Sequence, residues 1–260
     1  MANPNHSDGP RTVDAVQTAL DIINELQQLD SAGVTELADI LDLSKGTVHS
    51  HLSTLRANEY VVKDDNEYRL SLRYLDLGEY VRQRLGGFEA VKEELDDLAE
   101  ETGELAQFST EEHGQAVYLY KATGTNAVQT RSRVGRRDYI HSLALGKAIL
   151  AYLPEDRVHE IVDRHGLPEM TSNTITEREA LFDELEAIRE QGYAINRHEA
   201  NRGVHSVGAP VVVEGSVLGA ISIAGPANRL TIPYIESEVV DELLASTNEI
   251  ELMLTHQSPG

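Results

Sequence analysis

The chain has 260 residues, 44 Asp plus Glu against 22 Lys plus Arg for a formal net charge of -22, and no cysteine. That length suits one or two domains with ample core, and the missing cysteines exclude disulfides, thiolate metal sites and cysteine nucleophiles. No apolar run approaches the ~20 residues that span a bilayer, and the polar start MANPNHSDGP lacks a signal peptide's hydrophobic segment, so a cytoplasmic protein is expected.

Residues 1–10 are expected to form a disordered tail. Val13, Val16, Leu20 and Ile23, flanked by Ala19, Ile22, Leu26 and Leu29, predict a helix over 12–29 with a wide apolar stripe. A short second helix follows, with Thr35 as expected N-cap, Glu36 in its first turn, and Leu37, Ile40 and Leu41 at helical spacing. Asp42-Leu43-Ser44 makes a turn in which Ser44 caps a third helix. There Val48, Leu52 and Leu55 fall at i, i+4 and i+7, which puts Gly46, Ser50, Ser53 and Ala57 on the opposite side with Thr47, His49 and Thr54 flanking. An ordinary surface helix carries Glu, Lys or Arg outward; small hydroxyl and imidazole groups instead allow close approach to phosphates and base edges. Tyr60–Lys63, the turn 64–67 and Tyr68–Leu70 read as strand, turn and strand, a wing. Cap, turn, polar face and wing in this order predict a winged helix-turn-helix over 11–70. The expected DNA contacts are Lys45, Thr47, His49, Ser50 and Ser53, with Arg56 on phosphate.

The charge argues against a nucleic-acid partner, since phosphate neutralisation supplies much of the affinity. Two observations offset this. Only five of the 22 basic side chains are lysine, and carboxylate-rich, lysine-poor chains suit concentrated salt, where the Debye length falls to ~3 Å at 1 M. A halophilic protein is therefore expected. Between Leu43 and Asn58 there is no acid, while Lys45, Arg56, His49 and His51 are present. The wing tip Asp64-Asp65-Asn66-Glu67 is acidic and is not expected to press into a groove.

A linker helix is expected over 71–87, where Leu72, Leu75, Leu77, Tyr80 and Val81 suit packing on a neighbour or second subunit. The last region, 88–257, reads as an α+β domain with a largely antiparallel sheet. A helix from Phe88 ends at Gly103. Strands flank the turn 111–115, and a third is expected at 128–131. Helices are expected at His141–Leu153, from Pro154 to about His165, and up to Gly192, the last with Thr176 and Glu179 as a capping box. Strands at 193–196, 207–213 and 217–224 precede a C-terminal helix from about 234 to 256.

The winged region, the linker helix, HSLALGKAILAYLP and GYAINRHEANRGVHSVGAPVVVEGSVLGAISIAGP together resemble an IclR-family transcriptional regulator, from Thr12 to about Leu254. Gly192, Asn196, Glu199 and Ser206 carry the spacing of the family signature. The chain departs from it where Asn196 stands at a position often held by Asp, and where Val212-Val213 replace an aromatic and an acidic or amide residue. The resemblance implies a C-terminal GAF-like effector-binding domain, a small organic-acid, sugar-acid or aromatic-acid effector, promoter DNA as partner, and homodimers that pair into tetramers in some members. Carried over by position, it also implies an effector site lined by Gly135, His141, Ser142, Asn196, Ser206 and Ser222. Hydroxyls and an amide at strand ends and a helix start suit a carboxylate or several sugar hydroxyls. For each the plain alternative is structural: Ser142 as a cap, Ser222 filling a tight sheet position, Asn196 bridging backbone groups.

Other constellations point to no chemistry. Gly146-Lys147 is not a phosphate loop, because the position five before the glycine is His141. His198 with His205, and His159 with His165, lack the spacing of a metal site, so neither metal nor cofactor is expected. His205 and Ser206, with Glu199, have the residue types of a hydrolase triad, but neighbours on a strand point to opposite faces. The run Arg131-Ser132-Arg133 with Arg136-Arg137 is read as a solvated loop, a subunit contact or a rim that attracts anionic ligands, with the rim slightly favoured. A ligand-responsive DNA-binding regulator that is not an enzyme is the expected function. The alternative is a sensor or enzyme whose winged domain serves protein contacts.

Overall fold

The computed structural model describes residues 12–84, 86–128 and 132–257. The tail expected to be disordered, and 129–131 of the expected third strand, lie outside them. Two compact units divide the chain at Val81 and Arg82.

In the first unit, α1 (Asp14–Leu29) is followed by β1 (Ala32–Gly33), α2 (Val34–Ile40), α3 (Lys45–Ala57), β2 (Val61–Asp64) and β3 (Glu67–Leu70). The strands form an antiparallel sheet of order β1-β3-β2. Ile22 and Leu26 of α1, Leu37, Val48, Leu52, Val61 and Tyr68 make one core. Ser44 accepts the Thr47 N–H at 3.0 Å and so caps α3 as its position predicts. Thr35 does not cap α2: the helix begins one residue earlier, at Val34, with Gly33 in the cap position and no side-chain bond. The chain passes to the second unit along α4 (Arg73–Gln83).

The second unit opens with α5 (Phe88–Thr102), whose C-cap Gly103 is left-handed at φ 69° and returns its N–H to Ala99. Among the described residues six antiparallel strands follow, β4 (Leu105–Glu112), β5 (Gln115–Thr123), β6 (Arg137–Tyr139), β7 (Ala194–Arg197), β8 (Val204–Val213) and β9 (Ser216–Pro226), in the order β6-β5-β4-β9-β8-β7. Alternation along them sorts two faces. Ala106, Phe108, Val207, Ala209, Ile221 and Ile223 share a core with Leu95 and Leu98 of α5 and Leu243 and Ile250 of the C-terminal helix. Ala116, Tyr118, Ala194 and Ala220 share another with α6 (Ala144–Tyr152), α7 (Glu155–His165) and α8 (Arg178–Gln191). The C-terminal helix begins as α9 (Ile232–Tyr234), passes through a π-turn (Ile235–Val239) and continues as α10 (Val240–Gln257).

An edge strand that no sequence signal announces, Arg137–Tyr139, pairs with β5. Two sequence expectations need correction. The helix expected from His141 is a 3-10 turn at Ile140–Ser142 before α6 begins at Ala144. Thr176 and Glu179 form no capping box, because α8 starts at Arg178 with Glu177 in the cap position and no side-chain cap bond.

Candidate functional site

On α3, Val48 and Leu52 are fully buried and turn the opposite side outward, where Lys45, Thr47, His49, Ser50, Ser53 and Arg56 are all exposed. Val48 and Leu52 are thus the anchors that aim the helix. Ser50 donates its hydroxyl to the Gly46 carbonyl at 2.9 Å and Ser53 to the His49 carbonyl at 2.7 Å. Thr47 is tied to the cap, with its Oγ1 2.8 Å from the Ser44 Oγ. No described acid lies on α3. The wing is a tight hairpin in which Asp64 faces Glu67 and Asp65 is left-handed at φ 50°.

The second unit holds a cavity of about 280 Å³ lined by Gln107, Tyr118, Ser132, Arg136, Asp138, Tyr139, Ser142, Leu143, Met170, Asn196, Ala200, Asn201, Val204, Ser206 and Ala224. Sheet register builds one wall: Asn196 pairs with Ser206 and Ser206 with Ala224, so three strands place these residues in a row. The opposite rim is Arg136, whose guanidinium bonds Asp138 at 3.0 Å. Gln107 donates to Ser132 at 2.7 Å. Burial, reinforced by the Asp138 carboxylate, pushes the Tyr118 phenol well above its ordinary range, so it is a neutral O–H donor. Amides, hydroxyls and one compensated ion pair line the space, with Leu143, Met170 and Val204 as its larger aliphatic groups. It suits a small polar molecule.

Of the residues expected from the family resemblance, Ser142, Asn196 and Ser206 meet in this cavity, and Gly135, His141 and Ser222 are not in its lining. Gly135 sits at an exposed turn with φ 79°. His141 is buried, its Nε2 3.2 Å from the Pro168 carbonyl, and burial pushes its pKa down. Ser222 is buried beside Gly208, and the first turn of α6 covers that glycine so closely that a Cβ there would stand 2.6 Å from the Leu145 nitrogen. Asn196 lines the cavity, and it bridges backbone groups by donating to the Ser142 carbonyl at 2.5 Å and accepting the Glu199 N–H at 3.0 Å. Of the basic run, Ser132 and Arg136 reach the cavity, Arg133 and Arg137 are exposed, and Arg137 bonds Glu112. Gln107, Tyr118, Asp138 and Asn201 carry no local signal in the sequence; strand pairing brings the first three together, and the β7–β8 loop supplies Asn201.

His205 and Ser206 point apart as strand geometry requires: Ser206 faces the cavity, while the His205 Nδ1 lies 2.9 Å from the Leu230 carbonyl. The His205 and His198 Nε2 atoms are 3.1 Å apart. Among the described residues no group of three or more His, Cys, Asp or Glu is placed to hold a metal ion. No described helix is long and apolar enough to cross a membrane.

Residues 15–65 match the IclR helix-turn-helix domain, and residues 81–252 match the C-terminal domain of the bacterial transcriptional regulator IclR. A probable HTH-type transcriptional regulator ArcR of Halobacterium salinarum is 33% identical over 250 residues, covering 94% of this chain and 95% of that protein. The HTH-type transcriptional regulator KdgR of Escherichia coli is 30% identical over 242 residues, with 92% of each chain covered. The crystal structure of Thermotoga maritima IclR superposes with a TM-score of 0.78 at 28% identity, over 93% of this chain and 99% of that one. An IclR homologue from Microbacterium hydrocarbonoxydans complexed with 4-hydroxybenzoate shares the fold, with a TM-score of 0.80 at 20% identity over 94% of this chain and 100% of that one. The cap, reading helix and wing in one unit, the sheet-lined polar cavity in the other and these full-length likenesses agree: the chain belongs to the IclR family of DNA-binding transcriptional regulators, whose C-terminal domain binds an effector.

Proposed function

We propose that this protein is a ligand-responsive repressor or activator of a catabolic operon. A winged DNA-binding domain over 11–70 and a linker helix over 71–87 precede an effector domain over 88–257. The observation that carries this reading is the polar cavity of about 280 Å³ in the unit that does not contain the reading helix. Its amides and hydroxyls fit a small organic acid, a sugar acid or an aromatic acid, and the 4-hydroxybenzoate held by a distant homologue is one probe of that class. Lys45, Thr47, His49, Ser50, Ser53 and Arg56 contact promoter DNA, and Ser142, Asn196 and Ser206 contact the effector. The protein works as a homodimer in the cytoplasm at high salt, with a dimer of dimers as the larger assembly. The effector acts by binding two arrangements of the paired winged domains with different affinities, since a ligand that binds both equally shifts nothing.

The test is fluorescence anisotropy of DNA from upstream of its own gene and neighbouring genes, titrated across KCl up to molar, with and without a panel of sugar acids and aromatic acids. Specific binding that one acid shifts is the expected result. Loss of all sequence preference at every salt concentration would refute the regulator reading.

A further inference from the structure

Lys147 is the largest fully buried side chain of the described residues, with a relative exposure of 1%. It lies on α6, whose Ala148, Ile149 and Leu150 belong to the core shared with Leu185 of α8. Its ammonium donates to Glu184 of α8 at 2.7 Å, to the Ile195 carbonyl of β7 at 2.9 Å and to Glu199 at 2.9 Å, so all three N–H groups are used. Glu199 Oε1 also accepts the Arg197 N–H at 3.2 Å, which folds the chain back as it leaves β7. The Glu199 N–H is in turn held by Asn196, and Asn196 holds the Ser142 carbonyl. From the far side, the Thr174 hydroxyl grips the Glu199 carbonyl at 2.7 Å.

Stability does not account for this arrangement. An aliphatic side chain could fill the same buried volume without desolvating a charge, and buried ion pairs seldom outperform such replacements. The cost is raised further because Glu199 Oε2 is buried with no hydrogen-bond partner among the described residues. What the cluster supplies is position. It ties α6, α8 and the end of β7 to one point, directly behind the segment that places Asn196, Ala200 and Asn201 in the cavity wall.

We propose that Lys147, which does not line the cavity, is the positioning residue for its β7–β8 wall, acting through Glu199 on Asn196. The proposal rests on reading the cavity as the effector site, and it makes the shape of that site depend on a side chain no effector touches.

The test is hydrogen exchange followed by mass spectrometry on the full-length, ligand-free protein. Lys147→Met leaves Glu199 without its cation, so Lys147→Met combined with Glu199→Gln is carried alongside. That pair removes the charges of the buried Lys147–Glu199 pair, leaves only the partly exposed Glu184 charged, and keeps an acceptor for the Arg197 N–H. Both variants are expected to speed exchange of the amides in 197–204 by about tenfold or more, while segments of α3, α5 and α10 keep wild-type protection. Adding Asn196→Ala to Lys147→Met should speed the loop no further than the larger single effect, because both act on one chain of contacts. Wild-type loop protection in the charge-free pair would overturn the proposal. So would acceleration spread evenly over the second unit, additive effects of the two substitutions, or a charge-free pair that does not fold, since Lys147 would then serve the fold as a whole. The readout uses no ligand. A failure of the effector reading, in which no acid shifts promoter binding, therefore remains distinguishable from a failure of this one.

Discussion

A hydroxyl that donates to a carbonyl one turn back keeps only its lone pairs for what lies outside the helix. Ser50 and Ser53 are in that state. Toward a major groove they offer acceptors, which match the amino groups of adenine N6 and cytosine N4. Replacing both by alanine is expected to relax base preference at the positions they face, at a cost of roughly 1–3 kcal/mol per lost contact, read by selection from a randomised operator library. Unchanged preference would show that these serines do not read bases. Lys45→Ala and Arg56→Ala should instead weaken every sequence alike and reduce the salt slope by about 1 each.

The two histidines behind the cavity wall make a second prediction at this scale. The Gly203 N–H points at His198 Nδ1, and the Leu230 carbonyl faces His205 Nδ1. The tautomers follow: His205 carries its proton on Nδ1, and His198 donates from Nε2 to the His205 Nε2 lone pair. A further proton on His205 would set N–H against N–H. Burial pushes its pKa down, the Leu230 carbonyl opposes this, and His198 and Arg197 add to the depression. His205 therefore holds a proton less readily in the folded protein than in the unfolded chain below about pH 6.5, and the stability it contributes, complete above that pH, is lost as pH falls through the depressed folded value. His205→Gln is expected to flatten that part of a melting-temperature profile, and a profile parallel to wild type would dismiss the pair as a source.

At the scale of elements, two glycines set how closely α6 is approached, Gly208 by the sheet and Gly146 by the 3-10 turn at Ile140–Ser142. A Cβ on Gly208 would meet the Leu145 nitrogen at 2.6 Å, and one on Gly146 would meet the Ile140 carbonyl oxygen at 1.9 Å. Both obstacles are backbone, which cannot rotate away. Gly208→Ala is expected to cost roughly 2–3 kcal/mol in chemical denaturation, an overpacking penalty. Most elements were legible beforehand because each carried its own local signal: the Val48-Leu52 stripe, the Ser44 cap, the Gly103 stop. Where two signals compete the sequence misleads, as at Thr35, whose side chain suits a cap but which stands inside α2, two residues after the Gly33 that occupies the cap position. The cavity was legible only in part. Ser142, Asn196 and Ser206 came from the family resemblance, and Arg136 and Ser132 from the basic run. Gln107, Tyr118 and Asp138 sit on three different strands, and nothing local marks them. Gly135, His141 and Ser222 show the limit of transfer by position: Arg136 and Ser142, next to the first two, and Ala224, two residues beyond the third, line the cavity while the matched residue is buried or turned out.

At the scale of the whole molecule, the charge of -22 opposes approach to DNA. Adding salt weakens that repulsion while it also weakens phosphate contacts, so the two effects offset. Specific binding should therefore lose far less affinity between low and molar KCl than a basic reader does, as anisotropy titrations would register. The exposed apolar residues point to a partner. Leu72, Leu75, Tyr80 and Val81 are exposed by 83%, 68%, 62% and 58%, more apolar surface than one short stretch normally leaves to water. Leu72→Glu with Leu75→Glu is expected to shift sedimentation from dimer towards monomer. A monomeric wild type would refute homodimerisation.

The reading helix has one consequence that concerns solvent. Among the described residues no ion pair involves α3; buried Val48 and Leu52 and the Ser44 cap hold it. Concentrated salt screens ion pairs but strengthens or spares apolar burial, depending on the salt. A helix anchored this way surrenders nothing to brine, so the element that must keep its shape against DNA is built only from forces that such a medium leaves intact.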